Sequence, residues 1–185
     1  ERGDLPADVR FHPACAYWDT AGPRPQRIAE LPALLALLRS PAGEPVGLHS
    51  TWLRPDGSGK AALTDHAGNA LKPRKLRTLG SGSSRGAAVR LYPPGERLAI
   101  GEGLETVLAC RCADPTLPVW SALTAGGVAA VVLPDEVREV LLIADHDPAG
   151  ARAVLALAGR LRREGRTVRV LVPPTVATEG CRHGA

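Results

Sequence analysis

The chain of 185 residues contains no methionine, and one Phe, two Tyr and three Trp make up an aromatic content of 3%. Val, Leu, Ile and Ala must therefore fill whatever core it buries, and a hydrophobic fraction of 44% is ordinary for a globular protein. Lysine is also scarce. Lys60, Lys72 and Lys75 are the only three, so 20 of the 23 basic residues are arginine, a bias that a GC-rich coding sequence accounts for equally well. The four cysteines, Cys15, Cys110, Cys112 and Cys181, form no CxxC pair, which excludes a zinc ribbon; no zinc is expected. They read as reduced thiols of a cytoplasmic protein. No apolar run reaches the ~18 residues of a membrane span, so no membrane partner is expected, and the N-terminus carries no signal peptide. A start at Glu1 without any methionine reads as processed or truncated.

What is present falls into two textures. Residues 1–95 are irregular and rich in Pro and Gly. Short strand-like runs occur at Pro45–Leu53 and Gly86–Tyr92, and Pro55–Gly59 is a turn-forming stretch. Ile28, Leu31, Leu34, Leu35 and Leu38 recur at helical spacing and predict a helix over Ile28–Arg39. Residues 96–174 alternate: strand Arg97–Gly101, helix Leu104–Cys112, strand Pro118–Leu123, short helix Gly126–Leu133, strand Val140–Ala144, helix Pro148–Glu164 and strand Thr167–Val172. In the long helix Ala149, Ala153, Val154, Leu157 and Leu161 form one stripe, and Gly165 takes the place of a C-cap glycine. A β-α-β-α-β-α-β order with near-continuous apolar strands predicts an α/β fold, a mainly parallel sheet with helices on both faces. The tail 175–185 has no periodicity and is expected to be loose.

Acids follow two of the strands directly. Glu102 comes after Leu98–Gly101, with Gly103 next; Asp145 and Asp147 come after Leu141–Ala144. Ligands of open parallel sheets bind at the carboxyl ends of strands. If the two strands are neighbours, three carboxylates converge there, and their repulsion is relieved by a hard divalent cation such as Mg²⁺. Such an ion can clamp a phosphodiester. Pro148 suits a first helical turn, and Gly150 allows close backbone approach.

The segment Leu98–Ala109, LAIGEGLETVLA, resembles the glutamate motif of Toprim domains, and Leu141–Ala151, LLIADHDPAGA, resembles their Asp-x-Asp motif. Upstream, RFHPACAYWD, GLHSTWLRPDGSGKA and GAAVRLYPP resemble the region preceding Toprim in phage- and plasmid-type primases and primase-helicases. The resemblance implies a smaller N-terminal α+β lobe at 1–95 and a Toprim domain at 96–174. It implies a DNA primase-like nucleotidyltransferase that makes RNA primers, with Glu102, Asp145 and Asp147 catalytic and metal-binding in one shell. Gly103, Glu105 and Gly150 would support that site. It further implies Mg²⁺, or alternatively Mn²⁺, as the ion; single-stranded DNA template and nucleoside triphosphates as partners; and a replicative helicase as a further partner. Two departures stand out. Primases of this kind carry an Asp in a Pro-rich segment after the last strand, where this sequence offers only Glu179, and the sequence includes neither a zinc module nor a helicase. Topoisomerase chemistry needs a nucleophilic tyrosine, and Tyr17 and Tyr92 both lie outside the Toprim segment.

A net charge of +4 permits nucleic-acid binding without establishing it. The densest basic cluster is Lys72, Arg74, Lys75 and Arg77, flanked by Lys60 and Arg85; these are the candidate contacts to nucleic acid or nucleotide, and a solvated loop explains them equally. The same acids would serve a Toprim nuclease with water as attacker, and a non-catalytic nucleic-acid-binding fragment of a primase-helicase is the third reading.

Overall fold

The computed structural model describes residues 6–80, 84–145 and 147–172. His146 and the tail, with Glu179, Cys181 and His183, lie outside them. The chain divides into two compact units of nearly equal length, Glu1–Pro93 and Pro94–Ala185.

The first unit comprises β1 (Val9–Asp19), β2 (Gln26–Arg39), β3 (Pro45–Trp52), β4 (Leu63–Thr64), β5 (Ala70–Leu71), β6 (Arg74–Thr78) and β7 (Val89–Arg90). β1, β2, β3 and β6 form an antiparallel sheet in that order, and β4 pairs with β5 as a small hairpin. Among its described residues there is no helix. The expected helix over Ile28–Arg39 is a strand, and the expected α+β lobe is a β lobe.

The reason lies in the residues themselves. In Leu31–Leu38 nearly every position is apolar, so a period of 3.6 and a period of 2 fit equally well. As a central strand β2 buries apolar side chains on both faces, which such a run allows. Pro32 would also cost a helix interior a hydrogen bond and a ring clash, ~3 kcal/mol. In the sheet it is accommodated: the β1–β2 register shifts between His12↔Ala33 and Cys15↔Leu31, a bulge opposite Pro32, whose carbonyl accepts from Leu53 N–H at 2.8 Å.

On one side of this sheet Tyr17, Ala33, Trp52, Ala61 and Leu63 form a buried cluster. The Tyr17 and Trp52 rings meet edge to face, with centroids 4.7 Å apart. Both polar ends are satisfied: Trp52 Nε1 donates to Cys15 O and Tyr17 OH to Lys72 O, each at 3.0 Å.

The second unit contains β8 (Arg97–Gly101), α1 (Leu104–Ala113), β9 (Val119–Ser121), α2 (Ala125–Ala130), β10 (Glu139–Ile143), α3 (Pro148–Arg163) and β11 (Thr167–Leu171). Each element lies within about three residues of the sequence-based expectation, the margin usual for boundaries. Strand order is β11-β10-β8-β9, all parallel. α3 buries Ala153, Val154, Leu157 and Leu161 together with Gly150 and Ala158, while Ala149, expected on that stripe, is exposed. Gly165, at φ +82°, ends the helix, its N–H donating to Arg162 O at 3.0 Å. Trp120 is buried.

From β8 the chain steps through α1 to β9; from β10 it steps the opposite way through α3 to β11. Right-handed crossovers in opposite directions put α1 and α3 on opposite faces of the sheet. β8 and β10 therefore flank a topological switch point, and in open parallel sheets ligands bind at the carboxyl ends of the strands there.

Truncating the aromatic centre of the first unit should be costly: Trp52→Ala is expected to lower stability by about 3–5 kcal/mol, read from urea unfolding by circular dichroism. A loss below about 1 kcal/mol would mean that the Tyr17–Trp52 cluster is not this unit's core.

Candidate functional site

Parallel pairing sets Gly101 opposite Ile143. Glu102 is the next residue on one strand, and Asp145 stands two beyond Ile143 on the other, so both leave adjacent strand ends at the switch point. Each is partly buried.

Gly101 is required for steric reasons. A Cβ there would lie 2.9 Å from Val107 Cγ1 of α1 and 3.2 Å from Ile143 Cβ of β10. Gly103, the N-cap position of α1, is similarly tight, a Cβ meeting Thr106 Oγ1 at 2.8 Å. Gly150 differs: a Cβ would sit 3.4 Å from Asp145 Cβ, an ordinary van der Waals contact, so close backbone approach does not demand glycine there.

Asp147 is the N-cap of α3. Its Oδ1 accepts from Ala149 N–H and Gly150 N–H, both at 2.8 Å, and Pro148 follows at the first helical position. Glu105 is exposed in the first turn of α1, where a negative charge offsets the helix dipole.

Among the described residues, no three His, Cys, Asp or Glu side chains are gathered closely enough to hold a metal by themselves. Mg²⁺ does not require such a cage, because one or two carboxylates with water and substrate phosphates complete its octahedron. Glu102 and Asp145, oxygen donors leaving neighbouring strand ends, fit an ion shared with a phosphate.

Two residues of this corner carry no motif signal. Ser121, fully buried at the end of β9, donates from Oγ to Glu102 O at 2.7 Å. Leu123 N–H donates to the same oxygen at 3.1 Å. Leu123 has φ +64°, a left-handed backbone that costs a bulky residue about 1–2 kcal/mol. The one hint in the sequence is a serine directly after the apolar pair Val119-Trp120.

The basic candidates separate by environment. Lys60, Lys72, Arg74, Arg77 and Arg85 are exposed, Arg74 and Arg77 on the edge strand β6. Charged residues on an edge strand also block strand-to-strand aggregation. Lys75 is half-buried: its Nζ lies 4.0 Å from the centroid of the Tyr17 ring and donates to Trp18 O. Burial lowers its pKa, an effect partly opposed by Asp19. Its ammonium is engaged within its own unit. Over the first unit basic residues outnumber acidic ones, while in the second the two nearly balance.

Family comparisons divide the chain at nearly the same point. A domain family of unknown function (DUF7146) matches residues 2–91, and a Toprim domain family matches residues 97–184. No protein of curated function matches in sequence. Among solved structures, a DnaG primase catalytic domain bound to single-stranded DNA is similar at TM-score 0.53 and 17% identity, over 86% of this chain and 50% of that one. A DNA primase domain from Pseudomonas aeruginosa gives TM-score 0.47 and 16% identity, over 86% and 49%. The E. coli primase catalytic core gives TM-score 0.47 and 15%, over 85% and 50%. The chain thus spans about half the length of the primase structures it matches. At this identity the likeness is one of fold.

Asp147 lends itself to a direct test of its cap. Asp147→Ala is expected to lose about 1 kcal/mol in urea unfolding, while Asp147→Asn, an equally good N-cap, keeps nearly all of it. Equal losses in the two variants would remove the capping role.

Proposed function

We propose that this chain, whose residues 97–184 match a Toprim domain family, is a primase-like nucleotidyltransferase that joins ribonucleotides on a single-stranded DNA template, with Mg²⁺ at Glu102 and Asp145. The observation that carries this reading is the placement of those two carboxylates at adjacent parallel strand ends, at the switch point of the sheet.

In the reaction a primer 3′-hydroxyl attacks the α-phosphorus of the incoming nucleotide, the bond to the β-phosphate oxygen breaks, and pyrophosphate leaves. Mg²⁺, when bound, offsets the charge that gathers on the transferred and leaving phosphates. Glu102 and Asp145 would hold the ion at the strand ends, and Glu102 would accept the hydroxyl proton. Asp147 adds negative charge two residues from Asp145 while its Oδ1 fixes the start of α3. The positive dipole end of that helix offsets part of the negative charge that the acids bring together.

In the first unit, exposed Lys60, Lys72, Arg74, Arg77 and Arg85 supply phosphate contacts to the template or nucleotide. Arg can grip a phosphate with two parallel hydrogen bonds. Lys75, turned onto Tyr17, contributes to the shape of that unit more than to contact. Single-stranded DNA is bound in one structural relative, which supports a similar template here. A replicative helicase and Mn²⁺ as a substitute ion belong to the same reading.

Primer synthesis on single-stranded DNA with labelled ribonucleotides and Mg²⁺ tests it. The wild-type chain is expected to yield product, and an Asp145→Asn/Asp147→Asn double variant, which keeps the helix cap, to fall by a factor of about 100 or more, the scale on which removed transition-state charge stabilisation acts. Product undiminished in the variant would take the chemistry away from these acids. Cleavage of DNA without nucleotides would identify a nuclease instead. No reaction, with DNA binding that weakens steeply with salt, would identify a binding module.

A further inference from the structure

We infer that Ser121 is a positioning residue for Glu102, acting with the backbone N–H of Leu123; this rests on the metal-site reading of the acids. Ser121 is the one fully buried polar residue of the described chain, and its hydroxyl is spent on the main chain of Glu102. The Glu102 carbonyl oxygen has two lone pairs and receives two donors, Ser121 Oγ at 2.7 Å and Leu123 N–H at 3.1 Å.

The path of the chain beyond β9 serves this arrangement. The parallel ladder runs Ala99↔Val119, Ile100↔Trp120 and Gly101↔Ser121 and then stops. Ala122 N–H still donates to Gly101 O at 2.9 Å, and the next residue turns into the left-handed region, φ +64° at Leu123. That turn aims the Leu123 N–H back at Glu102 rather than onward along the strand. Thr124 N–H closes the turn onto Ala122 O at 2.8 Å, and Thr124 then caps α2, accepting from Gly127 N–H at 2.9 Å. On the other side of Glu102, Gly103 caps α1 without a side chain. Strand β9 therefore pins the Glu102–Gly103 peptide, and at Gly101, just before it, a Cβ would collide with Val107 and Ile143.

Partners that orient a ligand without touching the metal commonly change metal affinity by factors of 10–100 when removed. The same is expected here, because Ser121→Ala leaves the Glu102 carbonyl with one donor and lets its peptide tilt.

The test is titration of the full 185-residue chain with Mn²⁺, reading free Mn²⁺ by electron paramagnetic resonance, with circular dichroism to establish that each variant is folded. Ser121→Ala is expected to weaken Mn²⁺ binding about tenfold. Leu161→Ala, which removes a buried side chain near the far end of α3, is expected to leave affinity within about twofold, because additivity between separated sites holds well. Leu123→Gly, which keeps the N–H and suits the left-handed backbone, is expected to bind as the wild type does. Wild-type affinity in Ser121→Ala would overturn the inference, and so would an equal loss in Leu161→Ala, which would mark a general effect of stability. If the wild type binds no Mn²⁺, or Asp145→Asn binds it unchanged, the metal-site reading itself falls and this inference with it.

Discussion

Pairing of β8 with β10 is the constraint on which the second unit depends. These strands are not consecutive in the chain; they meet only after α1, β9 and α2 have crossed over. Their register, Val140↔Leu98 through Ile143↔Gly101, brings two acids from distant segments to one end of the sheet. A slip of one residue would reverse every side chain of a strand between the faces. Leu98, Ala99, Ile100, Val140, Leu142 and Ile143 are all buried, so the register is held by the whole core. At Gly101, α1 and β10 leave no room for a methyl group.

Around this pairing, single groups serve two ends. Asp147 satisfies two otherwise unpaired N–H groups of α3 and also brings negative charge beside Asp145. Ser121 is buried without apparent benefit to the core, yet its hydroxyl fixes the peptide of Glu102. Leu123 accepts an unfavourable backbone conformation at the same corner. Strain of this kind persists only where its surroundings over-determine it, and it gathers at functional sites.

The two units differed in how far their sequences could be read. In the second, the alternation of short apolar runs with amphipathic stretches leaves one assignment. Its acids could be located because each directly follows an apolar strand. The first misled at β2, where Leu and Ala occupy both faces and neither period is distinguishable. Pro32 was the available signal against a helix, since it could be housed only at an interruption such as the β1 bulge. Among the basic residues, nothing in the sequence separated Lys75 from its neighbours. Its place over Tyr17 comes from the pairing of β6 with β3, a contact between residues far apart in the chain. Ser121 and Leu123 were unreadable for a related reason: what matters is which carbonyl their donors reach, and that is decided by the β8–β9 register.

The central claim is that a divalent cation binds between Glu102 and Asp145. A crystal grown with Mn²⁺ and measured for anomalous scattering tests it most directly. The account predicts an anomalous peak at ~2.0–2.3 Å from a carboxylate oxygen of each residue, distances at which hard cations meet oxygen ligands. Ordered Mn²⁺ elsewhere, with Glu102 and Asp145 bare under saturating metal, would contradict it.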